Sequence, residues 1–136
     1  MAILKNSILG HDQVWELLQR QRRMGQLPHA LAFCGPSGIG KRKMATALAQ
    51  ALLCENAETA PCGECGPCRR VALQQSEGLL LVEPQNGVIK IESARAVLDF
   101  FQLRQLARAR VVIVDEAQTL NPQAANTLLK IVEEPP

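Results

Sequence analysis

Residues 35–43 read GPSGIGKRK. A phosphate-binding loop follows G-x-x-x-x-G-K and then requires Ser or Thr. Gly35, Gly40 and Lys41 stand where that pattern needs them, but Arg42 stands where the hydroxyl belongs. The backbone chemistry of such a loop does not depend on residue 42. Amide N–H groups at Gly38, Ile39, Gly40 and Lys41 line a concave nest at a helix N-terminus, where the helix dipole favours phosphate. Lys41 adds a point charge for the β- and γ-phosphates. Residue 42 ordinarily supplies a hydroxyl to Mg²⁺. A guanidinium cannot ligate a cation, and one turned inward opposes the metal electrostatically; turned outward, it leaves a nucleotide site with poor metal positioning. The candidate nucleotide-binding set is therefore Gly35, Pro36, Ser37, Gly38, Ile39, Gly40, Lys41 and Arg42, for ATP or ADP with weak Mg²⁺ dependence.

The surroundings suit a genuine phosphate loop. Before it, Ala30–Cys34 is a short apolar run that reads as a buried parallel strand, with Cys34 a core thiol. After it, KRKMATALAQALLC places Ala45, Leu48, Ala49 and Leu52 on one helical face. Upstream, DQVWELLQRQRRMG reads as an amphipathic helix packed through Val14, Leu17 and Leu18 and closed at Gly25. Downstream, RRVALQQSEG continues as helix and LLLVEP (Leu79–Pro84) as a second strand. KIESARAVLDFFQL forms a helix with Ser93 as its expected N-cap and an apolar stripe of Ala94, Val97, Leu98 and Phe101. Val111–Glu116, VVIVDE, is a third strand. Asn121 and Pro122 open a last helix as cap and first-turn proline, and Pro135 and Pro136 stop it. Strands alternating with helices define an α/β domain with a mainly parallel sheet.

Two further groups carry chemistry. VVIVDE is an apolar strand ending in Asp115, suited to hold Mg²⁺ through water, and Glu116, placed as a general base for water attack in an ATPase. Cys54, Cys62, Cys65 and Cys68 follow C-x7-C-x2-C-x2-C. A C-x2-C pair lets two thiolates reach one ion from a tight turn, beside the flexible Gly63 and Gly66. Four thiolates close a tetrahedral Zn²⁺ shell with no open position, so the site is structural. A [4Fe–4S] cluster also uses C-x2-C-x2-C, although its fourth ligand usually lies downstream.

Composition sets the outer limits. The chain has 136 residues, a net charge of +2, three Phe, one Trp and no Tyr. So few aromatics argue against a surface that stacks single-stranded bases, and against the cysteine segment as a DNA-binding element. The basic groups Arg20, Arg22, Arg23; Lys41, Arg42, Lys43; and Arg104, Arg108, Arg110 read as solvated helix faces. Glu133 and Glu134 oppose a helix dipole, either solvated or meeting a basic partner. No apolar run approaches the roughly 18 residues that span a bilayer, and the N-terminus lacks a signal-peptide pattern. The expected compartment is the cytoplasm, where clustered thiols bind metal rather than form disulfides.

Three segments together resemble the N-terminal part of bacterial DNA polymerase III clamp-loader subunits of the AAA+ class. They are LPHALAFCGPSGIGK, CENAETAPCGECGPCRR and RVVIVDEAQTLNPQAANTLLKIVEEPP. The resemblance implies a RecA-like P-loop NTPase core: a parallel sheet with helices on both faces, and a zinc module inserted over residues 54–68. The Lys41–Arg42 pair is similar to the non-hydrolysing delta-prime branch; Lys41, Asp115 and Glu116 fit the ATP-hydrolysing gamma/tau branch. Either branch implies other clamp-loader subunits as partners in a hetero-oligomer, with the sliding clamp and primed DNA reached through the assembly. In that family a fourth strand separates the first from the third. The chain is accordingly expected to be truncated before strand 4, without lid and collar domains, and to fill the gap by rearrangement or by pairing with another copy.

Overall fold

The computed structural model describes residues 3–7, 10–35, 40–103 and 109–134. Pro36, Ser37, Gly38, Ile39, Arg104, Arg108, Pro135 and Pro136, singled out above, lie outside these residues. After a 3-10 turn over Leu4–Ser7 come α1 (Asp12–Arg23), α2 (Lys41–Leu53), α3 (Gly66–Ala72), β1 (Leu79–Val82), α4 (Ile91–Gln102), β2 (Val111–Val114), a second 3-10 turn (Ala117–Thr119) and α5 (Pro122–Glu133).

Helix ends follow local chemistry. At the end of α1 the Gln26 N–H donates to the Gln21 carbonyl at 2.8 Å and the Gly25 N–H to that of Arg22 at 3.2 Å. This is a Schellman closure, and Gly25 takes its left-handed position at φ 66° without a Cβ penalty. The same closure ends α3, but Gln74 occupies the left-handed position at φ 59°. Asn121 caps α5 as expected: its Oδ1 accepts from the Ala124 N–H at 2.8 Å, and Pro122 fills the first helical position. α4 starts earlier than expected. Lys90 is its N-cap, and Ser93 lies inside the first turn with its N–H on the Lys90 carbonyl.

β1 and β2 form a parallel pair in register from Leu79↔Val111 to Val82↔Val114. Leu80, Val82, Val112 and Val114 pack with Val97 and Phe101 of α4 and with Leu128 and Ile131 of α5. Between β1 and α4 the chain reverses at Asn86-Gly87, both at positive φ, with the Gln85 N–H on the Val88 carbonyl. A second core holds Leu18, Met44, Ala47 and Leu48, with Leu4, Trp15, Leu27, Phe33 and Leu52 around it. A third gathers Ala51, Cys54, Ala60 and Cys68, and Trp15 borders both. α2 is the central post, buried on most of its circumference rather than on a single stripe.

Three expectations are corrected. Residues 30–34 form no strand, and among the described residues the sheet has two members instead of three. A ladder needs a neighbour, and among the described residues β2 pairs with β1 alone. Without a covering strand Leu31 and Ala32 stay exposed, and so does Cys34, which is not a core thiol; Phe33 alone of the four is half-buried. On α1, Val14 and Leu17 are 44% and 50% exposed, and the face that packs is Trp15, Leu18 and Gln19. Nor are the basic clusters simply solvated. Arg22 donates to the Ala57 and Ala60 carbonyls at 3.1 and 3.4 Å, Arg110 to the Phe101 carbonyl, and Arg42 to two acids described below.

Candidate metal centre and loop site

The cysteine centre is assembled by three local devices. Cys54 is the C-cap of α2, leaving the helix in an extended conformation. Cys62 and Cys65 sit in the following turn, where Gly63 adopts φ 77°. Cys65 caps α3, its sulfur accepting from the Cys68 N–H, and Pro67 in the first turn lets the helix start there. The four Sγ atoms converge to within 4.8 Å of one another. The Cys65 and Cys54 sulfurs are 3.9 Å apart. Tetrahedral Zn–S bonds of about 2.3 Å require a sulfur–sulfur edge of about 3.8 Å.

Backbone donors surround the sulfurs. Cys54 Sγ accepts from the N–H groups of Asn56 (3.3 Å) and Cys62 (3.4 Å), and Cys62 Sγ from Glu64 (3.4 Å) and Cys65 (3.2 Å). The Glu64 and then the Cys65 amides bring the Cys62 thiol down to about 6. Burial pushes Cys54 and Cys68 the other way, against opposing amides from Cys62 and from Gly63 respectively. Four free thiols of which two resist ionisation by burial, in a nest of N–H donors, fit a cation that neutralises four thiolates. This donor set suits Zn²⁺, which would hold the cysteine loop in place without taking part in a reaction.

The second site lies where α2 meets the carboxyl ends of the strands. The register that pairs Val82 with Val114 delivers Glu83 and Asp115 side by side, and the Asp115 N–H donates to the Val82 carbonyl at 2.8 Å. Arg42, one residue into α2, turns inward and its Nη1 contacts both: Glu83 Oε1, and Asp115 Oδ2 at 3.4 Å. Lys41 bends back so that its Nζ donates to the Gly35 carbonyl at 2.7 Å. Gly40 caps α2 at φ 92°, a conformation that glycine adopts without strain. Glu116 lies exposed at φ 54° in the turn after β2, its carbonyl accepting from Thr119 N–H and Oγ1. Lys41 with Gly35 and Arg42 with Asp115 are thus brought together. Glu83 joins the site without being among the expected residues; its one signal in the sequence is that LLLVEP, like VVIVDE, ends an apolar strand in an acid.

Fold and centre define an α/β domain in which four converging cysteines could hold a metal ion. The family described as DNA polymerase III, delta subunit, matches residues 10–136, and the chain belongs to this clamp-loader family of DNA polymerase III. A DNA polymerase III subunit delta' of Pseudomonas aeruginosa is 38% identical over 114 residues, covering 81% of this chain and 35% of the relative. A subunit tau of Salmonella typhimurium is 34% identical over 131 residues, covering 95% of this chain and 20% of the relative. A subunit gamma/tau of Mycobacterium tuberculosis is 37% identical over 137 residues, covering 95% and 23%. The chain therefore spans about a third or less of the length of these relatives. No helix among the described residues is long and apolar enough to cross a membrane.

Proposed function

We propose that this chain belongs to a clamp-loader subunit of the delta-prime kind, an arm that supports ATP-driven loading of the sliding clamp without hydrolysing ATP itself. The observation that carries this reading is the placement of Arg42. Its guanidinium lies between Asp115 and Glu83, so the carboxylate that would hold Mg²⁺ is already paired with a tethered cation. Hydrolysis by a P-loop enzyme depends on that metal to bridge and neutralise the phosphates. Gly35–Arg42 and Asp115 remain the candidate nucleotide contacts, with ATP or ADP held by backbone and Lys41 and with little help from Mg²⁺. The described elements would belong to an AAA+ core carrying a zinc module over residues 54–68. Partners would be the other clamp-loader subunits, with clamp and primed DNA engaged through the assembly in the cytoplasm.

The gamma/tau reading is favoured by one observation: Lys41, Asp115 and Glu116 retain the residue types an ATPase uses. Steady-state phosphate release by the purified full-length protein separates the two. The delta-prime reading predicts none above background. Turnover that disappears on Lys41→Ala would establish the ATPase reading, with Glu116 as base.

A further inference from the structure

The metal centre is gripped by a buried side chain that is not one of its ligands. Gln50 lies one helical turn before Cys54 on α2 and is fully buried. Its Nε2 donates to the carbonyl of Cys68 at 3.0 Å, and its Oε1 accepts from the N–H of Leu4 at 2.9 Å. The Gln50 amide thus ties the Cys68 backbone to Leu4, the first residue of the N-terminal 3-10 turn, which lies 46 positions before Gln50 in sequence. A second contact runs in parallel. Ile3 lies so close to Gly63, in the knuckle between Cys62 and Cys65, that a Cβ on that glycine would fall 2.6 Å from Ile3 Cγ1. Leu4 packs against the α1–α2 core beside Trp15, which also borders the cysteine cluster.

These contacts have a direction in energy. A buried amide with both its donor and its acceptor engaged is costly to half-satisfy, because whichever partner leaves strands the other group away from water. A metal that holds α3 in place helps keep the Cys68 carbonyl where Gln50 meets it, and the bond to Cys68 helps aim Gln50 at the Leu4 N–H.

We infer that Gln50 is a positioning residue for the metal centre and that it couples metal binding to the seating of the N-terminal segment, residues 3–6. The inference rests on the four-thiolate reading of the cysteine cluster. Metal loading orders the segment through Gln50 and Gly63, and by reciprocity an unseated segment weakens the metal. Removing an outer-shell partner of a metal ligand typically lowers metal retention by about tenfold or more.

Hydrogen exchange on the full-length protein, with and without prior chelation, tests this without any substitution. The expected result is that chelation speeds exchange of the Leu4 amide and its neighbours through Asn6 at least about tenfold while β1 and β2 keep their protection. A Gln50→Met variant, close in volume but without the amide, should release zinc to a chromogenic chelator about tenfold faster than the parent and show fast exchange at Leu4 even when metal-loaded. Leu4 protection that ignores chelation overturns the coupling, as does loss of protection equally in β1 and β2, which would signal global unfolding. A protein that carries no stoichiometric zinc and shows no thiolate charge-transfer band on cadmium titration would sink the four-thiolate reading itself, a failure distinct from the first two.

Discussion

Replacing Arg42 by threonine should convert a metal-indifferent protein into a metal-dependent one. Arg42 Nη1 contacts Glu83 and lies 3.4 Å from Asp115 Oδ2, and the three side chains are 43%, 49% and 28% exposed. Pairs this open to solvent contribute at most about 1 kcal/mol each, and two that share one guanidinium are not additive. Substitution also leaves two carboxylates facing one another at the ends of paired strands. The net loss in Mg²⁺-free buffer is therefore about 1 kcal/mol, roughly 3–5 °C in melting temperature for a domain of this size. Millimolar Mg²⁺ should restore most of it in the variant, because the threonine hydroxyl and the carboxylates then form a cation site. The parent should show no such response. Thermal melts by circular dichroism of both zinc-loaded proteins, in Mg²⁺-free buffer without chelator and in Mg²⁺, give the four values required. Equal melting temperatures in Mg²⁺-free buffer, or an equal Mg²⁺ response in both proteins, would refute the idea that Arg42 stands in for the metal.

Other consequences are quicker to check. Gln74 pays the cost of a left-handed Schellman position at φ 59°, so Gln74→Gly should stabilise the protein by roughly 0.5–1 kcal/mol in urea titration, net of the added chain entropy. Asn121→Ala removes the cap on the Ala124 N–H and should cost about 1 kcal/mol by the same measurement. Cys34 is exposed while Cys54 and Cys68 are buried, so a maleimide should label Cys34 first in metal-loaded protein; chelation should open the other four to labelling.

How much of this was legible in the sequence depends on how local the signal is. α1, α2 and α5 could be read because their ends are written in neighbouring residues: Gly25, Gly40, and Asn121 with Pro122. The cysteine centre could be read for the same reason, since its ligands lie within one short segment and their spacing sets the geometry. Residues 30–34 carry a strand composition, but a strand is defined by its hydrogen-bonded neighbour, and composition cannot say whether one is present. Cys34 was misjudged with it. On α1 the period was right and the phase was not: Trp15 and Gln19 point inward, where a purely apolar stripe would have chosen Val14 and Leu17. Glu83 became visible only through strand register, which sets it beside Asp115 and within reach of Arg42. Gln50 looks like an ordinary helix residue until α3 folds back over it.

On this reading a tethered guanidinium, rather than Mg²⁺, neutralises the acid at the end of β2. The decisive measurement is equilibrium binding of a fluorescent ATP analogue to the zinc-loaded full-length protein, titrated in Mg²⁺-free buffer without chelator and again in millimolar Mg²⁺. The affinities should agree within about twofold in the two buffers, with whatever binding occurs coming from the loop backbone and Lys41. Binding at least about tenfold tighter in Mg²⁺ would contradict it, because the metal would then have to occupy the place assigned to Arg42.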